Sequence, residues 1–134
     1  DAVGHRVVHG GEEFFDAHLI DDEVIGAPLN GSILPGITRD SVIKLANRWN
    51  LTVSERKISI DEVMEAHQSG RLNEIFGSGT AAVISPVGEL KFEDHVIQVG
   101  GGTVGPIAQR LFDAIVDIQY GRADDPLGWV EPVC

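Results

Sequence analysis

The sequence predicts an α/β domain, with a mixed α+β arrangement as the variant. Three observations lead there. Runs rich in β-branched residues alternate with amphipathic helical stretches along the chain, glycine and proline clusters separate them, and the apolar residues in the helical stretches recur every three to four positions. With 134 residues the chain suits a single domain able to bury a core.

Residues 2–9, AVGHRVVH, read as a strand that ends at Gly10-Gly11. The stretch EEFFDAHLIDDEVIG, 12–26, is expected to be a loop or short helix, and Pro28 with Asn30-Gly31-Ser32 breaks the chain after it. From Arg39 to Asn50, Val42, Ile43, Leu45, Ala46 and Trp49 fall at helical spacing, with Thr38 as the expected N-cap and Asp40 in the first turn. LTVSERKI, 51–58, is expected to be a strand. Ser59 and Glu62 then make an S-x-x-E capping box that opens a helix ending at Gly70. A turn is expected at Gly77-Ser78-Gly79-Thr80, then a buried strand in AAVISPVG ending at Pro86, and another strand over 95–99. Pro106 opens a last helix with an apolar stripe of Ile107, Leu111, Ile115 and Ile118, read as core, and Gly121 stops it.

The charge balance excludes some partners. A net charge of −11 repels a polyphosphate backbone, so nucleic acid is not expected. No stretch approaches the roughly 20 apolar residues that span a bilayer, so no membrane partner is expected. One cysteine, Cys134, leaves no internal disulfide, and its place at the chain end lacks the surroundings of a reactive thiolate. With no signal-peptide pattern at the start, a cytoplasmic location is expected. Without an initial methionine, the chain is expected to be cut from a longer parent. His5 and His9 stand four apart, which on a strand separates them by roughly 13 Å, so no metal site is expected there. His18, His67 and His95 have no partner at ligand spacing. The acidic runs at Glu12-Glu13, Asp21 to Glu23 and Asp124-Asp125 read as solvated faces.

Two glycine elements could hold an anion. Pro35-Gly36 turns the backbone so that a helix starting near Thr38 aims its free amides and positive dipole end at the turn, and a phosphate there would accept from Ile37 and Thr38. At 77–80 two glycines permit close approach and Thr80 adds a hydroxyl. From spacing alone, a plain turn is the commoner explanation of either element, with phosphate binding the alternative. Neither is the G-x-x-x-x-G-K-[ST] loop, and GGGTVG at 100–105 is not the G-x-G-x-x-G fingerprint, so nucleotide binding is not supported.

Five runs carry a family resemblance: APLNGSILPGITRDSVIKLA, SERKISIDEV, EIFGSGTAAVISPVGEL, GGGTVGPIAQRL and IQYGRADDPLGW. From Ala27 to Trp129 the chain resembles the C-terminal part of a branched-chain amino acid aminotransferase, of the class IV pyridoxal-phosphate enzymes. The resemblance implies that 27–134 belong to the C-terminal part of that fold's large domain. It implies pyridoxal phosphate as cofactor, amino acid and 2-oxo acid as substrates, and a homo-oligomer. By it the cofactor phosphate meets the backbone of Ile37 and Thr38 and the residue Thr80, and the backbone at Ala81 and Ala82 receives the substrate carboxylate. The family's Schiff-base lysine lies upstream of the matched runs. Lys44, Lys57 and Lys91 read as surface charges, so no catalytic residue is assigned, and the isolated chain is expected to be incomplete for amino transfer. In the family's T-P-P-L segment this chain reads Gly26-Ala27-Pro28-Leu29, without the threonine hydroxyl.

Residues 1–25 resemble a segment of acetate kinase, through GHRVVHGGE, in which Arg6 would contact substrate. That likeness implies a join near residue 26 and a chimeric chain. Two further readings stand beside transamination: a non-catalytic fragment with a weak anion site, and a kinase remnant.

Overall fold

The computed structural model describes residues 17–20, 24–26, 36–79 and 82–133. Among the described residues, seven strands and three α-helices follow in the order β1 (Ala17–Ile20), β2 (Val24–Gly26), α1 (Ile37–Arg48), β3 (Val53–Glu55), α2 (Ile60–Gln68), β4 (Glu74–Gly79), β5 (Val83–Pro86), β6 (Glu89–Phe92), β7 (His95–Gln98) and α3 (Pro106–Gln119). A short 3-10 turn, Gly100–Gly102, precedes α3. The five-stranded sheet has the order β3-β2-β1-β4-β5, and β6-β7 form a separate hairpin. Within the five-stranded sheet, β2 and β3 run parallel. Its other pairs are antiparallel, so the class is the mixed variant of α/β.

The period-2 alternation of β4 explains the layering. Phe76 faces one core, with Val42, Leu45 and Ala46 of α1, Ile84 of β5, and Ala108, Leu111 and Ile115 of α3. Its neighbour Ile75 faces the other, with Ile60, Val63 and Ala66 of α2 and Leu90 and Ile97 of the hairpin. One strand therefore separates two helical layers. The α3 stripe is core as expected: Leu111, Ile115 and Ile118 are buried, joined by Ala108.

Four expectations change. The 12–26 stretch contains β1 and β2 in place of a loop or helix; β1 pairs with both β2 and β4, so tertiary pairing supplies an order that its mixed composition hides. The α1 helix starts earlier, with Gly36 as N-cap in extended geometry and no side-chain cap, so Thr38 is the second helical residue. The expected 51–58 strand shortens to Val53–Glu55. Gly77, Ser78 and Gly79 are not a turn: they extend β4 and pair with Ser85, Ile84 and Val83. The strand expected at 2–9 lies outside the described residues.

The capping box holds. Ser59 Oγ accepts from the Glu62 amide at 3.2 Å, and the Ser59 backbone amide donates back to the Glu62 carboxylate. Glu62 in addition takes both Arg56 guanidinium nitrogens, one at 2.9 Å and the other closer. That pairing with Arg56 holds the Glu62 carboxyl below the usual carboxylate range. A depressed folded-state value means the pair stabilises above the unfolded glutamate value of about 4.3, and the contribution is lost as pH falls through the lower folded value. Arg56→Met is expected to remove that part of the acid sensitivity. Urea midpoints for wild type and variant should converge as pH falls below about 4; a constant gap would refute it.

Candidate functional site

The start of α1 is an anion-ready surface. In an α-helix the first amides have no carbonyl four residues back, and here the first intrahelical bond runs from Asp40 N to Gly36 O at 3.1 Å. Among the described residues the amides of Ile37 and Thr38 meet no protein acceptor. Ile37 is 85% exposed, so its side chain does not close the approach. Ser41 Oγ donates to the Ile37 carbonyl at 2.9 Å and ties down the first turn from behind.

Of the second expected cup, only the glycine part falls on described residues. Gly77–Gly79 belong to the β4–β5 ladder, and Gly79 pairs with Val83, leaving 80–82 as the connection. Ala82 is exposed in a turn. Thr80, Ala81 and Arg6 lie outside the described residues. Val83, which closes the connection, has φ +56°. For a β-branched residue that left-handed conformation costs about 1–3 kcal/mol and persists only where the surroundings impose it. Here Val83 packs against the core shared by α1 and α3, which holds it in place.

The third glycine cluster is closed by the protein itself. Glu74 is buried, and its carboxylate accepts from the α3 amides of Ile107 and Ala108, each at 2.9 Å. The positive end of α3 is thus filled by an internal anion. This agrees with setting GGGTVG aside as a nucleotide loop. Its Gly105 makes room for Glu74, since a Cβ there would stand 1.9 Å from the Glu74 carboxyl carbon.

Two residues of this region gave no warning in the sequence. Arg39, in the first turn of α1, is 7% exposed and donates to Glu55 Oε2 at 2.7 Å. The available signal was its sign, since a cation in the first helical turn opposes the helix dipole. Glu74 offered no local signal at all, because its partners are 33 and 34 positions away. The three lysines match their reading: Lys44, Lys57 and Lys91 are exposed, and Lys44 pairs with Asp40 at 2.6 Å. Asp125 corrects another: it accepts from the Leu127 and Val130 amides, at 3.3 and 2.7 Å, so it shapes the C-terminal turn. Among the described residues there is no group of three or more His, Cys, Asp or Glu that could hold a metal, and no helix is long and apolar enough to cross a membrane.

Among the described residues one helix start meets no acceptor and another is sealed by an internal carboxylate, and both helices flank a mixed sheet. The chain carrying them belongs to the class IV aminotransferases: the family model "Amino-transferase class IV" matches residues 17–90. More particularly, it is similar to branched-chain enzymes. It is 54% identical over 114 residues to branched-chain-amino-acid aminotransferase 2 of Bacillus subtilis (strain 168), covering 85% of this chain and 31% of that one. The structure of the Escherichia coli branched-chain amino acid aminotransferase superposes with a TM-score of 0.73 at 33% identity, over 92% of this chain and 37% of that one. A T.th. branched-chain amino acid aminotransferase complexed with N-(5′-phosphopyridoxyl)-L-glutamate gives 0.71 at 29%, over 92% and 37%. The chain spans about a third of the length of these relatives.

The acetate-kinase resemblance of residues 1–25 is overturned where it can be followed. The family match opens at Ala17, and β1 and β2 pair into the same sheet as β3 and β4. Residues 17–25 are aminotransferase sequence, and the chimera and the kinase remnant find no support.

Proposed function

We propose that this chain contributes the cofactor-phosphate grip and the substrate-carboxylate contact of a branched-chain amino acid aminotransferase. The single observation behind it is the pair of open amides at Ile37 and Thr38, in a chain whose relatives are named branched-chain aminotransferases. Residues 27–134 then form the C-terminal part of the large domain, acting on branched-chain amino acids and 2-oxo acids within a cytoplasmic homo-oligomer.

The residues fit pyridoxal phosphate by donor chemistry. A dianionic phosphate suits two amides at a helix start, and the helix dipole favours it there. When bound, the cofactor supplies the electron sink through which an amino group passes from amino acid to 2-oxo acid. This chain's own part is binding and orientation. Ile37 and Thr38 donate backbone N–H to the phosphate, Thr80 adds its hydroxyl, and the backbone at Ala81 and Ala82 receives the substrate carboxylate. No proton transfer is assigned to Lys44, Lys57 or Lys91, each of which is exposed.

The test is Thr80→Ala. Losing a hydrogen bond to a charged oxygen is expected to weaken pyridoxal phosphate binding by about 1 to 3 kcal/mol while leaving pyridoxal, which has no phosphate, unaffected. Absorbance titration of the intact protein measures both. Equal affinities for the phosphorylated and unphosphorylated forms in the wild type would overturn the reading.

A further inference from the structure

We infer that Arg39, through its ion pair with Glu55, is the positioning residue for the phosphate grip at the start of α1. The inference rests on the proposed phosphate site and deepens it by naming what holds its amides in place.

Three observations converge on Arg39. It directly follows Thr38, so its side chain leaves the same helical turn whose amides are open. A cation at this place is disfavoured by the dipole of its own helix, which calls for a compensating tertiary interaction. That interaction is present: the guanidinium, with a side chain 9% exposed, donates to Glu55 Oε2 at 2.7 Å.

Glu55 sits at the end of β3, the edge strand of the sheet, and pairs in parallel register with Gly26 of β2. Arg39–Glu55 therefore fastens the first turn of α1 to the sheet, while the Ser41–Ile37 bond ties that turn to the helix itself. The core residues Val42, Leu45 and Ala46 hold the helix body. They leave its first turn free to fray, as helix ends do. A frayed turn no longer aims two amides at one point, so the pair converts a generic helix end into a fixed one. With the guanidinium engaged by Glu55, the route proposed for its action on the phosphate is through the backbone of the first turn.

The experiment compares pyridoxal phosphate and pyridoxal affinities in the intact protein for wild type, Arg39→Met, Glu55→Met and the double variant. Unfolding midpoints are recorded alongside. In wild type the ratio of the two affinities measures the phosphate grip. Both single variants are expected to lower that ratio by roughly tenfold, the effect of one misplaced bond to a charged group, and the double variant to lower it no further than Arg39→Met alone. A purely structural pair would lower the unfolding midpoint and leave the ratio unchanged, which overturns the inference. Glu55→Met removes the acceptor at a half-exposed position, so it decides the question even if Arg39→Met fails to fold. A loss in Arg39→Met with none in Glu55→Met would place the action of the guanidinium outside the Glu55 pair and overturn positioning through it. A wild type that binds pyridoxal as tightly as its phosphate overturns the underlying site, an outcome distinct from the others.

Discussion

Gly105→Ala is expected to cost about 3 to 6 kcal/mol of folding stability, more than the roughly 1 kcal/mol that alanine costs at an ordinary helix N-cap. Gly105 has φ −74°, so backbone freedom is not the reason for glycine. Space is the reason. A Cβ would lie 1.9 Å from the Glu74 carboxyl carbon, 2.1 Å from Oε2 and 2.2 Å from Cγ. Glu74 can escape only by leaving the amides of Ile107 and Ala108. Two bonds to a charged group are lost at about 1.5 to 3 kcal/mol each, and a carboxylate 5% exposed is left without donors. Urea unfolding measures the loss. The same substitution in a Glu74→Ala background should be nearly neutral, because the colliding atoms are gone; a full penalty in that background would show that the collision is not with Glu74.

Phe76→Ala is expected to destabilise by about 3 to 5 kcal/mol, the range for emptying a large buried aromatic site. Phe76 is fully buried at the centre of the α1, α3 and β5 core. Elements from three parts of the chain meet there, so the cavity has no single element that could move in to fill it. Ile75→Val, one position along and on the opposite face of β4, removes one methyl from the other core and should cost about 0.5 to 1.5 kcal/mol. Chemical denaturation of both variants provides the comparison. Equal losses would deny that the cost scales with the buried volume removed.

Elements whose information lies within a few residues were legible. The α3 helix was readable from Pro106 to Gly121 because an apolar stripe, a proline in the first turn and a glycine stop all act locally. So was the start of α2, where Ser59 and Glu62 are three residues apart. Helix α1 was read with its start misplaced, since Gly36 caps it without a side-chain bond and leaves no residue-type signature. The strands β1 and β2 were not legible, because short strands owe their order to the partners beside them. The GSGT stretch was misread for a related reason: two glycines favour a turn locally, and the β5 ladder overrides that preference.

At the candidate site the same division holds. Residue type and order along the chain were enough to place a helix start near Ile37 and Thr38 and to carry the aminotransferase resemblance, because helix-start chemistry and family motifs are written in consecutive residues. Only the folded chain decides which helix ends are open. The α3 start is filled by a carboxylate 33 residues away, the α1 start meets no acceptor among the described residues, and Arg39 meets an acid 16 positions on. Electrostatic pairing acts through space, and the sheet, not the local sequence, brings those charges within a bond length of each other.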